Sequence, residues 1–230
     1  ISFTEHFLLP EGFEDPAPAK DSSIEADKME SYINDVKKIK EKYKDQIKIN
    51  IGAEVDYIEG FEEEIKNNLN KYGEYLEDSI LSVHMIKIED KYYCMDFSCE
   101  EFEKIVNLLG SVESVYNLYY ETLIKAINSD LGKYKPKRIG HLNLVRKYNK
   151  KFPYDYSNNK KLKELVKLIS DRGYELDYNI AGLFKEDCGE TYISGYLAEL
   201  IKQYNIKLVL GSDSHSAKYI DKYEELNEHI

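Results

Sequence analysis

Short apolar runs alternate with longer amphipathic runs along most of the chain, and few folds accommodate that alternation. The short runs have the pattern and length of strands. We predict strands at Ile1–Phe7, Ile47–Tyr57, Ser79–Met85, Arg138–Leu142, Glu175–Asn179 and Ile206–Gly211. The last run contains Leu208–Leu210 and has the character of a buried strand. Strands that alternate with helices in this way predict parallel β/α packing.

The longer runs repeat apolar residues at the spacing of one helix face. We predict helices at Ser23–Lys44, Phe61–Tyr72, Glu100–Ile127, Lys160–Arg172 and Tyr192–Tyr204. Gly110 is expected to divide the longest of them, and Gly173 has the position of a left-handed C-terminal cap. Ile86–Phe97 is predicted to be an excursion that turns at Glu89–Lys91.

Length, composition and charge limit the class of protein. The 230 residues suffice for one α/β barrel, and 42% hydrophobic with 33% charged residues is typical of a globular domain. Since there is no internal repeat or linker, residues 1–230 are expected to form one domain, and a strand before Ile1 would make a seven-stranded barrel.

A net charge of −11 argues against a broad nucleic-acid-binding face. No apolar run reaches the roughly 20 residues of a membrane span, and Cys94, Cys99 and Cys188 are expected to be reduced in a cytoplasmic protein.

Histidines and acidic residues recur where the predicted strands end. These residues are His6, Glu54, His84, His141, Asp213 and His215. The carboxyl ends of parallel strands meet on one edge of the sheet, where reactive groups gather. Asp213 and His215 are two residues apart, so both can point the same way from an extended segment. The pattern therefore predicts one rim that is rich in histidine and carboxylate.

The residue types at this rim indicate a metal site. Neutral imidazole and carboxylate suit Zn, Mn or Fe, whereas Ca prefers mostly oxygen ligands. One carboxylate can bridge two metals, and such a pair can hold a phosphate and activate water. Asp56 has the same parity as Glu54 and is expected to support a ligand from behind, whereas Glu5 should face the other side of its strand. His229 lies in a polar helical tail and is expected to be solvated.

Basic residues near the rim are few. Arg146 and Lys147 follow His141 by five and six residues, close enough to bind a phosphate. They are equally compatible with ordinary loop charges. Ser212 and Ser214 have no histidine–carboxylate relay in the sequence, so a serine nucleophile is not expected.

Five segments, in order along nearly the whole chain, resemble successive motifs of the PHP (polymerase and histidinol phosphatase) superfamily. They are Thr4–His6, Gly52–Tyr57, Ser82–His84, Gly140–Leu142 and Gly211–His215. Leu176–Leu183 and Gly189–Tyr192 further resemble the histidinol-phosphatase branch. The family's opening His-x-His motif is absent, so the chain is expected to be truncated at its N-terminus. Its C-terminal end, which stops in a helix-like sequence, is expected to be truncated as well.

The resemblance implies a distorted (β/α)7 barrel that lacks its first strand in this chain and holds two or three divalent metal ions. It implies a set of metal ligands with Glu54 as a bridge: His6, Glu54, His84, His141, Asp213 and His215. Asp213 and His215 would also act in catalysis, and Arg146 would stabilise charge at phosphorus. The implied reaction is hydrolysis of L-histidinol phosphate to L-histidinol and phosphate, in histidine biosynthesis, by a metal-activated hydroxide. The implied partner is this small phosphorylated substrate, without nucleic acid or membrane, and the oligomeric state is open.

Three alternatives stay open at the level of sequence. The chain can be a PHP phosphoesterase with another substrate, which Ile193 favours because a proline is expected there in the histidinol-phosphatase branch. It can be a degenerate, non-catalytic PHP domain, for which the missing first motif is the reason. It can also be an unrelated β/α barrel whose histidines are structural.

Overall fold

A parallel sheet forms the centre of the molecule. The computed structural model describes residues 1–217 and residue 220. Its strands, numbered along the chain, are β1 (Ser2–His6), β2 (Asn50–Asp56), β3 (Ile80–Ser82), β4 (Met85–Ile88), β5 (Lys91–Cys94), β6 (Arg138–Ile139), β7 (Glu175–Asn179) and β8 (Leu208–Gly211). Six of them form one parallel sheet in the order β1-β2-β3-β6-β7-β8, and β4 and β5 form a separate antiparallel hairpin. The sheet curls as half of a barrel, so the predicted α/β class is confirmed.

Amphipathic helices connect the strands and bury one face each. They are α1 (Met29–Lys42), α2 (Glu62–Tyr72), α3 (Cys99–Leu109), α4 (Val112–Asn128), α5 (Lys160–Asp171) and α6 (Gly195–Gln203). Gly110 separates α3 from α4, as predicted, because its φ of +82° is a left-handed conformation that ends a helix. None of the helices in the described part of the chain is long and apolar enough to cross a membrane.

Several elements are shorter than the sequence pattern predicts. The helix predicted from Ser23 begins at Met29, and the strand predicted at Ser79–Met85 ends at Ser82 before the hairpin starts. The helix predicted from Tyr192 begins at Gly195. The backbone N–H of Tyr192 instead donates to the carbonyl of Asn179 at 3.3 Å, which holds this segment against the end of β7. This hydrogen bond keeps the N–H of Tyr192 outside α6, which begins three residues later.

β8 differs from the prediction in its burial. Leu208 and Leu210 are 40% and 48% exposed, so the expectation of a buried strand was wrong for the described part of the chain. β8 pairs only with β7 among the described residues and is an edge of their sheet. An edge strand has a neighbour on one side only, and here one set of alternate side chains faces outward.

Two glycines allow close packing at the carboxyl edge of the sheet. A Cβ atom on Gly140 would lie 2.2 Å from Oγ of Ser82, and one on Gly211 would lie 2.1 Å from Oδ1 of Asp177. Both distances are far below van der Waals contact, so only glycine fits. The neighbouring strands can therefore bring polar side chains together just beyond these positions.

Candidate metal centre

Four neighbouring strands bring polar side chains to the carboxyl edge of the sheet. His6 is the last residue of β1 and pairs in register with Glu54 on β2. His84 and His141 lie two residues beyond the ends of β3 and β6. Glu54, His84 and His141 are each at most 8% exposed. The strand ends thus meet at one rim, as the sequence pattern predicts.

Glu54, His84 and His141 form the tightest part of the rim. Oε1 of Glu54 lies 3.0 Å from Nε2 of His141 and 3.7 Å from Nε2 of His84. The two Nε2 atoms are 3.1 Å apart. Donor atoms bound at about 2.1 Å to a tetrahedral metal ion lie roughly 3.4 Å from one another. The spacing of the three side chains therefore fits one divalent ion held among them.

Asp56 orients His84 and belongs to a second group of donors. Nδ1 of His84 lies 2.6 Å from Oδ1 of Asp56, and this hydrogen bond leaves the lone pair of Nε2 free for a metal. Oδ2 of Asp56 is 3.7 Å from Nδ1 of His6. His6, Asp56 and His84 are close enough to hold a metal ion as well. Asp56 therefore lies on the same face of β2 as Glu54, beside His84, and its role behind a ligand stays a prediction. Glu5 is exposed on the other side of β1.

Asp213 and His215 follow β8 and lie on the more open side of the rim. Nε2 of His215 is 3.3 Å from Oδ1 of Asp213, and the ring centroids of His215 and His6 are 6.3 Å apart. Asn179 donates through Nδ2 to Oδ2 of Asp213 at 3.2 Å. Asp213 has a φ of +47°, a strained conformation that clusters at functional sites. The structure thus brings all the predicted ligands to one edge, although the side chain of His215 is 73% exposed.

Carboxylates dominate the electrostatics of the rim. Burial opposes ionisation of Glu54 and Asp56, yet the neighbouring histidines lower the pKa of both carboxyl groups. Burial likewise opposes the charge on His6, but Asp56 and Glu54 outweigh it and raise the pKa of His6 to about 9. The pKa of His84 also rises against the effect of burial, mainly through Asp56. A site that raises histidine pKa values favours positive charge, which a divalent ion supplies in place of protons.

Asp96, Asp177 and Asn179 also contact or face the rim, and none of them is among the predicted site residues. Asp177 and Asn179 alternate on β7 and therefore share one face, a signal that the sequence contains. Nδ2 of Asn179 lies 3.1 Å from Oδ2 of Asp177, and burial raises the pKa of Asp177 to about 6. Asp96 follows the hairpin, and its negative charge contributes to the raised pKa of His84. No strand-end pattern marks Asp96, because it lies in an irregular segment.

Arg146 and Lys147 are both paired with acidic residues. Nε of Arg146 donates to Oε1 of Glu190, and its guanidinium carbon lies 4.5 Å from the ring centroid of Tyr156. Nζ of Lys147 donates to Oδ2 of Asp96 at 2.8 Å and so ties the turn after β6 to the end of the hairpin. A phosphate-binding role for Arg146 stays a prediction. His229 lies outside the described residues.

Comparison with known proteins agrees with the motifs. The profile of the PHP domain family matches residues 1–181. The chain belongs to the PHP family. Four of the rim residues of this PHP domain, from β1, β2, β3 and β6, fall within the matched segment, whereas Asp213 and His215 follow it.

The relatives place this PHP chain among histidinol-phosphatases. A histidinol-phosphatase from Bacillus subtilis is 44% identical over 221 residues, which cover 94% of this chain and 82% of that protein. A Listeria monocytogenes structure provisionally named histidinol phosphatase HisK matches with a TM-score of 0.91 at 34% identity, over 97% of this chain and 87% of that one. A Lactococcus lactis histidinol phosphate phosphatase, solved with Zn, L-histidinol and phosphate, shares the fold at a TM-score of 0.65 and 23% identity, over 99% and 80%. The predicted branch of the family is confirmed.

Proposed function

We propose that this PHP chain hydrolyses L-histidinol phosphate to L-histidinol and phosphate at a divalent-metal centre. The observation that carries the proposal is the 44% identity to the Bacillus subtilis histidinol-phosphatase across 94% of the chain. The Lactococcus lactis protein, which was solved with Zn, L-histidinol and phosphate, supports the substrate and the metal chemistry. The rim offers the imidazole and carboxylate donors that this chemistry needs.

The proposed metal ligands are those of the rim: His6, Glu54, His84, His141, Asp213 and His215. We propose two or three ions, chosen from Zn, Mn and Fe, with Glu54 as the bridge. Oε1 of Glu54 faces His84 and His141, whereas Oε2 lies 3.8 Å from Nε2 of His6, so its two oxygens reach different donors. When bound, such ions polarise phosphate oxygens and lower the pKa of a water molecule.

The side chains of the rim position these groups. The hydrogen bond from Nδ1 of His84 to Asp56 fixes the ring of His84 with Nε2 toward Glu54. Asn179 anchors the Asp213 carboxylate, which lies 3.3 Å from Nε2 of His215 on the open side where a substrate can enter. We propose that Asp213 and His215 take part in catalysis at this side.

Arg146 is proposed to stabilise charge at phosphorus. Its partner is now the Glu190 carboxylate, so this role requires the guanidinium to exchange Glu190 for a phosphate oxygen. The two groups have the same hydrogen-bonding chemistry, because a guanidinium binds carboxylate and phosphate oxygens alike. Loss of activity in Arg146→Lys with metal content retained would support the role.

We further propose that residues 1–230 belong to one catalytic domain and that the protein works in the cytoplasm. One core cluster of buried side chains extends from Phe7 to Ile206 in the described part of the chain, which supports a single domain. Cys94, Cys99 and Cys188 are free thiols, which fits a reducing compartment.

A panel of phosphomonoesters tests the proposed substrate. The metal-loaded protein is assayed for phosphate release from L-histidinol phosphate, O-phosphoserine, glucose 6-phosphate and p-nitrophenyl phosphate. We expect kcat/KM for L-histidinol phosphate to exceed the others by about 100-fold or more, because a site built to hydrogen-bond a substrate rejects analogues that lack its groups. Equal values across the panel would favour another substrate, and no release at all would favour a degenerate domain.

A further inference from the structure

A cavity lies at the amino edge of the sheet, opposite the metal rim. It has a volume of about 300 Å³, and its walls include the segments that precede β3 and β6 and the first residue of β7. Because the strands are parallel, these segments lie at the end of the sheet remote from His84 and His141. We call this space the amino-edge cavity. It has no part in the proposed hydrolysis.

Basic residues crowd one wall of the amino-edge cavity, although the chain carries a net charge of −11. The wall includes Lys133, Lys135, Lys137 and Arg138, within six consecutive residues. Lys133 and Lys137 are exposed, and their Nζ atoms lie 4.5 Å and 4.8 Å from tyrosine ring centroids. In the part of the chain that the structure describes, no carboxylate oxygen lies within 4.0 Å of either Nζ atom.

The acidic side chains of the same cavity are already paired with cations. The pairs are Glu77 with Lys40, Asp78 with Arg138 and Glu175 with Lys207. These contacts neutralise the negative charge of the lining. The charges of Lys133, Lys135 and Lys137 are therefore not balanced within the cavity.

Lys135 adds a fixed positive charge to the wall of the cavity. Nζ of Lys135 donates to two backbone carbonyls at 2.7 and 2.8 Å, which fixes the ammonium group and leaves one N–H for another acceptor. Burial, Lys137 and Arg172 lower the pKa of Lys135 to about 8. An anion would offset this crowding of positive charge.

We propose that the amino-edge cavity binds a small phosphate-bearing anion at a site separate from the metal rim. Lysine and arginine are the side chains that bind phosphate oxygens best, and the cavity has the size of a small-molecule site. Free phosphate and a phosphate group on a larger molecule share this chemistry. Lys133 and Lys137, which are exposed, would contact the ligand, and the positive charge of Lys135 would add to the attraction.

Two anions test the proposal. Sulfate represents a free tetrahedral dianion, and ADP represents a phosphate group on a larger molecule. Thermal unfolding of the metal-loaded protein is followed while either anion replaces chloride at constant ionic strength. The variant K133A/K137A is compared with K104A/K167A, which removes two exposed lysines from α3 and α5 and makes the same change in net charge. Both variants keep the metal rim, so anion binding there cancels in the comparison. Basal hydrolysis of L-histidinol phosphate is expected to be the same in both.

We expect saturable stabilisation by at least one of the two anions in the wild-type protein and in K104A/K167A. In K133A/K137A the apparent Kd should rise by about tenfold or more, because two charge-assisted contacts are lost. Saturation with sulfate alone assigns the site to a free anion, and saturation with ADP assigns it to a phosphate on a larger molecule. Equal binding in both variants, or no saturable binding to the wild-type protein, would overturn the proposal.

Discussion

The two sides of the metal rim differ in enclosure. Glu54, His84 and His141, the buried side, are at most 8% exposed, and each contacts a side chain from another strand. Asp213 and His215, the open side, contact one another at 3.3 Å, and the side chain of His215 is 73% exposed. Donors that packing holds in place lose little entropy when they bind an ion. The buried side is therefore expected to determine metal affinity, and the open side to admit substrate.

Removal of the proposed bridge should have the largest effect. In Glu54→Gln we expect loss of most bound metal and a fall in kcat of about 10³-fold or more, since groups that act as a unit fail together. Elemental analysis and phosphate release from L-histidinol phosphate measure the two effects. Glu59→Gln is the control, because Glu59 follows the same strand but pairs with Lys125 at 2.8 Å. Retention of full metal content in Glu54→Gln would mean that the buried side does not determine metal affinity.

A substitution on the open side should be more selective. In Asp213→Asn we expect the loss of at least one metal ion per chain and a fall in kcat of about 10²-fold, while the ions on the buried side remain. Asp187→Asn, which alters an ion pair with Lys151, serves as the control. Unchanged metal content in Asp213→Asn is the result expected of a barrel whose histidines are only structural.

The partner behind His84 should matter less than the ligands themselves. Asp56→Asn removes the carboxylate that accepts from Nδ1 of His84 at 2.6 Å. Substitution of such supporting groups costs about 10–100-fold in metal affinity, and a competition titration with a chelator measures this. Asp45→Asn, an exposed position, should leave the affinity unchanged. An equally unchanged affinity in Asp56→Asn would show that the hydrogen bond has no part in metal binding.

The periodic part of the fold and of the rim could be predicted from the sequence. Glu175–Asn179 was placed to the residue, and the break at Gly110 followed from the conformational freedom of glycine. His84 and His141 could be assigned to one edge because parallel strands end together. Asp56 could be placed behind a ligand because strand residues alternate in direction. Each of these positions follows from the periodicity of a helix or strand, or from the shared direction of parallel strands.

The remainder depends on contacts between distant segments, which no local pattern encodes. The exposure of Leu208 and Leu210 follows from the place of β8 at the edge of the described sheet. The pairing of Arg146 with Glu190 joins residues 44 positions apart. Asp96 lies in an irregular segment, so neither strand nor helix periodicity indicates its pairing with Lys147.

Substitution of Asp96 should have the smallest effect, which is on the stability of the fold and on how that stability depends on pH. Burial opposes its ionisation, but Lys147 and His84 outweigh burial and hold the pKa of Asp96 below its ordinary 3.8. The ionised group therefore stabilises the fold above about pH 4, and this contribution is lost as the pH falls below that value. Asp96→Asn should lower the free energy of unfolding at pH 7 by about 1–3 kcal/mol.

Urea unfolding from pH 7 to pH 3 measures this prediction. The difference between the wild-type protein and Asp96→Asn should shrink as the pH falls from 4 to 3, because the unfolded wild-type chain then binds a proton at Asp96 that the folded protein does not. Asp90→Asn, in the exposed turn of the hairpin, is the control and should show no such pH-dependent difference. A difference that stays constant over the whole range would mean that the charge of Asp96 is not what stabilises the fold.

Whether bound metal ions drive the hydrolysis can be measured directly. Phosphate release from L-histidinol phosphate is followed in a single preparation before chelation, after chelation and after divalent metal is restored. We predict that the rate falls by about 100-fold or more when the metal is removed and recovers when Zn, Mn or Fe is returned, because the rim would lose its Lewis acid and then regain it. An unchanged rate in protein shown by elemental analysis to be free of metal would mean that the hydrolysis does not depend on a metal ion.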